Sequence, residues 1–268
     1  MKALLKDLTP PVLWRSFQQL RHRPALPEWE YAGKTWAEAR CKQARGWNQL
    51  TVKELSEQYL QGDKDQLSAG TSFPLSTTCH GNLFKQNRLL VFAYSLALAA
   101  HGKTHLSILD WGGNLGPYNL YAQAFLPGVT IDYHCKDVPL LAEAGQKLQP
   151  DVCFYSSNSC LERQYDFVLV SGSLQYSEDW ASTLELLLKA STGYLLLTQL
   201  FVTADHPCLC LHRDPGGEYV GWVLQREDVV ESATGARLLH EFALTTAPTV
   251  LAGSKISFTQ RAFLWSCD

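Results

Sequence analysis

The chain has 268 residues, long enough for one sizeable α/β core plus an accessory element and short for two full domains. At 46% hydrophobic and 18% charged residues it carries too much apolar surface to stay disordered. A net charge of −3 gives no electrostatic argument for nucleic acid as a main partner, and none is expected; the longest apolar run, Leu89–Ala100, falls well short of the about 20 residues that span a bilayer.

Residues 1–23 carry Lys2, Lys6, Arg15, Arg21 and Arg23 against Asp7 alone, and Leu13, Phe17 and Leu20 fall at helical spacing beside Trp14. The pattern predicts a helix packed on its own domain; the same basic, amphipathic face also suits weak peripheral contact with anionic lipid. Asp7 and Pro10-Pro11 interrupt any signal-peptide core, so the expected location is the cytoplasm. Two short helices follow. Thr35 with Glu38 forms a capping box and Gly46 is the expected stop; Thr51 with Glu54 repeats the box, with a stop at Gly62. The stretch 63–78 is rich in Gly, Ser and Thr and reads as a loop. The expected division is a helical N-terminal cap and linker over 1–78 and the site-bearing domain over 79–268.

From Asn82 the pattern changes. A long helix over Asn82–His101 is stopped by Gly102. The strand Leu106–Leu109 leads through a glycine-rich loop to a helix from Pro117. Strands are predicted at Val129–Cys135, Val152–Tyr155, Phe167–Val170 and Tyr194–Leu200, with helices after Asp137, after Ser177 as cap, and over Arg226–Thr234. Leu238–Thr245 and Ile256–Trp265 have no helix between them and read as a hairpin. Strands alternating with helices predict a Rossmann-like α/β fold: a seven-stranded, mostly parallel sheet whose last strand is antiparallel, at or near the edge. Gln199–Trp222 shows no clear period and reads as a long functional loop.

The eight cysteines contain one C-x-C pair, Cys208 and Cys210, and no CxxC. Zinc ribbons and redox motifs need the latter, so no metal site is expected, and the cysteines read as buried reduced thiols.

The segment Leu106-Ser-Ile-Leu-Asp110-Trp-Gly112-Gly113-Asn114-Leu-Gly116-Pro117 carries the strongest signal. It is a strand, an acid, a glycine loop and a helix start, the place where open α/β sheets bind ligands. A dinucleotide fingerprint needs G-x-G-x-x-G, but Trp111 precedes Gly112, which weakens a nicotinamide oxidoreductase. Gly102-Lys103-Thr104 precedes its strand and so does not make a phosphate loop. The loop that binds S-adenosylmethionine (SAM), acidic-x-G-x-G-x-G, is matched by Asp110, Gly112 and Gly116, with Asn114 at the middle glycine. A tight turn without ligand is the structural alternative. Asp110 can receive the cofactor's ammonium. Asp137, just past the next strand, can accept hydrogen bonds from ribose hydroxyls or cap the following helix. Ser171 and Gly172 are small enough to admit the cofactor at the fourth strand's end. Gln175 and Tyr176 are candidates for the acceptor side, unless Tyr176 is core.

Three segments carry a family resemblance: Thr35-Trp36-Ala-Glu-Ala39 to Gly46-Trp47, Leu109-Asp110-Trp-Gly-Gly-Asn-Leu-Gly116, and Ser173-Leu-Gln-Tyr176-Ser-Glu-Asp179, with a weaker match from Tyr219 to Trp222 into Arg226-Glu-Asp228. In these the chain resembles class I SAM-dependent methyltransferases of bacterial surface-polysaccharide and lipopolysaccharide gene clusters. The resemblance implies SAM as cofactor and methyl transfer to a small-molecule or glycan acceptor. It departs after the fifth strand, where a basic residue is expected and Thr198-Gln199 stand. In Asp205-His206-Pro207 and His212-Arg213-Asp214, His206 is the candidate general base, and Trp222 joins Gln175 and Tyr176 as acceptor-binding candidates. A catalytically degenerate SAM-fold scaffold is the alternative outside enzymes. Nothing in the pattern specifies an oligomer.

Overall fold

The computed structural model describes residues 26–42, 44–68 and 83–267. The helix expected within 1–23 lies outside the described residues, as do residues 69–78 of the expected loop. Among the described residues no helix is long and apolar enough to cross a membrane.

The N-terminal part is not purely helical. β1 (Trp29–Gly33) pairs antiparallel with β7 (Cys208–Asp214), a partner about 180 residues away that no local pattern announces. α1 (Trp36–Arg40) starts as expected: Thr35 Oγ1 accepts the Glu38 N–H at 3.4 Å, but the Glu38 carboxylate takes the N–H of Lys34 at 2.7 Å, one residue earlier than in the usual box. It ends at Cys41, not at Gly46. α2 (Leu50–Ser68) runs straight through Gly62, and Thr51 lies inside its first turn instead of capping it. An interior glycine costs about 1 kcal/mol relative to alanine. Val52 and Leu60 of α2, buried against Leu141 and Ala144 of α5 (Pro139–Leu148), outweigh it.

α3 (Leu83–Ala99) leads into β2 (His105–Trp111), α4 (Pro117–Phe125), β3 (Thr130–Lys136), α5, β4 (Cys153–Tyr155) and β5 (Tyr165–Ser171). α6 (Trp180–Lys189), β6 (Ser191–Thr203), the hairpin β7–β8 (β8, Gly217–Gln225), α7 (Arg226–Ser232), β9 (Arg237–Ala243), β10 (Thr249–Val250) and β11 (Ser257–Ser266) complete the chain. Asp179, not Ser177, caps α6: its carboxylate accepts the Ser182 N–H at 3.1 Å.

The central sheet runs β4-β3-β2-β5-β6-β11-β9. β4, β3, β2, β5 and β6 are mutually parallel. β11 is antiparallel to β6, β9 and the short β10, so the last strand is interior and β9 forms an edge. This is the expected Rossmann-like arrangement, extended by further strands to eleven among the described residues. Period-two alternation fills both faces. Ile108, Phe167, Leu169, Leu196 and Leu264 pack under α3 and α4 around Phe92. Their neighbours Leu109, Val168, Leu195, Leu197 and Phe263 pack against Leu184 and Leu187 of α6 and Val229 of α7.

The expected loop over 199–222 is largely strand. Cys208, Leu209, Cys210 and Leu211 are all buried, so β7 shows no alternation that would reveal it. Asp214 Oδ1 closes the hairpin by accepting the N–H groups of Gly216 at 2.7 Å and Gly217 at 2.9 Å. β6 joins the two parts of the sheet. It pairs with β5 as far as Thr198, then with β8 at Val202 and Thr203.

Candidate functional site

The chain leaves β2 for β3 on one side and returns to β5 on the other, so the strand order reverses at the carboxyl end of β2. Asp110 stands there, fully buried. Its Oδ2 accepts the Tyr133 hydroxyl at 2.7 Å, while its buried Oδ1 has no partner among the described residues. Burial pushes the carboxyl pKa up to about 7, opposed by the Tyr133 hydrogen bond and reinforced by the nearby Asp137.

The glycines of the loop are required by geometry. Gly112 has φ 75°, and a Cβ there would lie 2.3 Å from Ser173 Cβ. A Cβ on Gly113 would lie 2.3 Å from the Asp110 carboxylate. Gly116, at φ 73°, is the residue before α4, and Pro117 takes the first helical position, where its missing N–H costs nothing. Asn114 occupies the left-handed region at φ 57°, and its buried Oδ1 is also unpartnered among the described residues. Trp111, before the glycines, packs into the core under the Lys136 ammonium, 4.6 Å from its ring.

Asp137 is buried and faces the same loop. One oxygen accepts the Asn114 N–H at 2.6 Å and the other the Val138 N–H at 2.7 Å. Desolvation raises its pKa, opposed by these two backbone donors. It therefore braces the glycine loop and the start of α5 together; the sequence reading included the helix start but not the bond to the loop. Each carboxylate oxygen keeps a second lone pair for an incoming hydroxyl.

Ser171 ends β5 beside Gly172, which has φ 68°. Ser171 Oγ lies 3.0 Å from the Tyr118 hydroxyl and accepts Gln199 Nε2 at 2.7 Å. Gln175 is buried and donates to the Gln199 carbonyl at 3.2 Å. Tyr176 reaches the other way. Its hydroxyl is 3.1 Å from His212 Nδ1, and its ring packs edge-on to Trp47 and against β8 at Gly221. The His212 ring stacks on Trp29 at 3.9 Å between centroids. Burial lowers the His212 pKa, opposed by Asp214 and Glu28, and raises that of Tyr176 well above its ordinary value.

The other two acceptor-side candidates lie on the segment from β6 to β8. His206 is exposed in the turn between β6 and β7. Strand alternation puts Trp222 on the face of β8 opposite Tyr219 and Gly221. There it packs edge-on to Trp36 of α1 and donates to the Glu178 carbonyl at 3.1 Å. Arg88 was missed. It lies on α3, far in sequence from the motif, and reaches Gln199 Oε1 at 3.4 Å, so a basic group does approach the end of β6.

No protein-family model matches the chain, and a search of curated protein sequences finds no match. Among solved structures it is similar to magnesium protoporphyrin IX methyltransferase from Synechocystis, solved with bound SAM, at 12% identity over 80% of this chain and 96% of that one, with a TM-score of 0.48. It is similar to 1,6-didemethyltoxoflavin-N1-methyltransferase from Burkholderia thailandensis, solved with S-adenosylhomocysteine, at 14% identity over 79% and 86%, with a TM-score of 0.46. It is also similar to an enzyme described as a pericyclic reaction enzyme, at 14% identity over 64% of this chain and 46% of that one, with a TM-score of 0.43. The chemistry is therefore read from the loop itself.

Proposed function

We propose that this protein is a SAM-dependent methyltransferase. The observation that carries the reading is Asp110: a buried carboxylate with an unpartnered oxygen, at the strand-order reversal, beside two glycines with no room for a Cβ. An ammonium placed against Oδ1 would satisfy it, and burying a carboxylate without such a partner is costly. Asn114 Oδ1 offers a second acceptor. Asp137, Ser171 and Gly172 complete the proposed cofactor-binding set with Gly112, Gly113 and Gly116.

Bound SAM would supply a methyl group already activated on a cationic sulfonium. The protein's task is then mainly alignment of an acceptor, which can contribute roughly 7–11 kcal/mol. We propose a hydroxyl or amine of a sugar or glycan precursor as acceptor, a reading supported by the motif resemblance. A hydroxyl acceptor gains from a general base, worth about 10²–10⁴ in rate. His212 suits this role better than the exposed His206. Burial keeps its imidazole neutral, and Nδ1–H is assigned as donor to the Tyr176 hydroxyl oxygen, which leaves the Nε2 lone pair to take the proton. Residues 79–268 would form the cofactor domain, with 1–78 closing its acceptor side. Support comes from Trp47, stacked on Tyr219 at 3.6 Å and edge-on to Tyr176.

Calorimetry with SAM, S-adenosylhomocysteine and NAD tests the binding claim: the first two should bind and NAD should not. Tritium transfer from methyl-labelled SAM into cell extract tests the chemistry. Binding without transfer in any extract would leave the scaffold reading.

A further inference from the structure

The kink in β6 points to a feature that the loop motif does not cover. Gln199 has φ 59°, a left-handed conformation that costs a non-glycine residue roughly 1–2 kcal/mol. It falls where β6 carries one residue more than β11: Leu197 faces Phe263 and Leu200 faces Arg261, so three steps oppose two. This is a β-bulge, and bulges next to sites re-aim side chains. Here the Gln199 amide is turned to bridge two elements. Its Nε2 donates to Ser171 Oγ at 2.7 Å and its Oε1 accepts Arg88 Nη1 at 3.4 Å. Glycine would take this backbone without strain, whereas Gln199 adds a side chain that ties β5 to α3.

Arg88 is under-used for a guanidinium set among ordered groups. Its Nε is covered and lacks an acceptor, and no carboxylate among the described residues forms an ion pair with it. The nearby acid Asp63 pairs with Lys85 at 2.8 Å instead. The Arg88 guanidinium carbon lies 5.8 Å from the centre of the Tyr118 ring, and the Tyr118 hydroxyl closes the chain of contacts at Ser171, 3.0 Å away. α3 and α4 thus hold a cation at the carboxyl edge of the sheet, on the same edge as Asp110.

We infer that Arg88, oriented by the Gln199 bulge, forms a carboxylate-binding subsite. The inference rests on the SAM reading for its first source, the α-carboxylate that accompanies the ammonium assigned to Asp110. The second source is an acidic group on the acceptor. A guanidinium binds carboxylate through paired N–H donors, which Arg88 retains beyond its single contact to Gln199.

Calorimetry compares S-adenosylhomocysteine with its decarboxylated analogue in wild type, Arg88→Met and Gln199→Gly. For the cofactor source, Arg88→Met should bind S-adenosylhomocysteine roughly 10- to 150-fold more weakly and the decarboxylated analogue as wild type does. Gln199→Gly should show a smaller loss of the same selectivity while its melting temperature holds or rises, a separation that a purely structural role would not produce. For the acceptor source, Arg88→Met should bind S-adenosylhomocysteine normally. Acetate added to the wild-type complex should then shift the Arg88 Nε–H resonance, identified by its loss in Arg88→Met. Equal weakening of both ligands, or normal affinity with no response to acetate, would overturn the subsite. If wild type bound no S-adenosylhomocysteine, the SAM reading would fail separately, and acetate added to the free protein would still decide the subsite.

Discussion

Asp110 and Asp137 are both buried acids on the glycine loop, and they differ in what satisfies them. The Asp110 pKa, raised to about 7, has a direct consequence for pH. The unfolded value is near 4, so the ligand-free fold binds an extra proton between the two. Its contribution to stability is full below about pH 4 and is lost as pH rises through about 7. A cationic ligand needs the ionised form, so SAM affinity should rise about tenfold per pH unit towards 7 and level off above it. Calorimetry at pH 6 in buffers of different ionisation enthalpy should register proton release; affinity that stayed flat from pH 5.5 to 8 would remove Asp110 from the ammonium site. Asp137 instead holds two backbone N–H groups. Asp137→Asn exchanges one charge-assisted acceptor for an amide, at a cost of about 1.5–3 kcal/mol. It should lower both melting temperature and SAM affinity, the latter roughly 10- to 150-fold. Unchanged affinity in a folded variant would exclude Asp137 from the site.

Among the elements, the loop between β2 and α4 tolerates least. Gly112→Ala meets Ser173 and must keep φ 75°. Overpacking of this kind costs about 1–3 kcal/mol and the left-handed backbone about 1–2 more. The expected result is a melting point several degrees lower and no detectable SAM binding in the folded fraction; normal binding would show that the loop is not the cofactor cradle. The hairpin leads to a different expectation for Trp222. Because it packs against Trp36 and two core clusters, Trp222→Ala should act on stability. A partly buried Trp should cost roughly 2 kcal/mol, below the 3–5 typical of full burial. Denaturant melts should show this loss while SAM affinity and tritium transfer persist. A variant of normal stability that failed to transfer methyl would return Trp222 to the acceptor site.

For the molecule as a whole, the strand pattern, the glycine loop and the two acids were legible because each is a local signal. Short apolar runs marked the parallel strands. Asp110, Gly112 and Gly116 lie within one turn, and the absence of a helix before β11 announced its antiparallel hairpin. The basic N-terminal segment was equally legible, and its effect is testable in solution: if residues 1–23 contact anionic lipid, flotation with anionic vesicles should fall as salt rises and vanish on their removal. Flotation indifferent to that removal would leave the packed helix. What required the folded molecule was long-range pairing. β1 finds β7 across the chain, a pairing that no local pattern announces. The continuation of α2 through Gly62 follows from burial against α5. The bulge at Gln199 becomes visible only where β6 changes partners, and Arg88 approaches it only because α3 crosses the same edge of the sheet. Side-chain periodicity and loop chemistry are written residue by residue and are readable without coordinates; strand register, the face a side chain takes and the meeting of distant charges depend on which elements pack together.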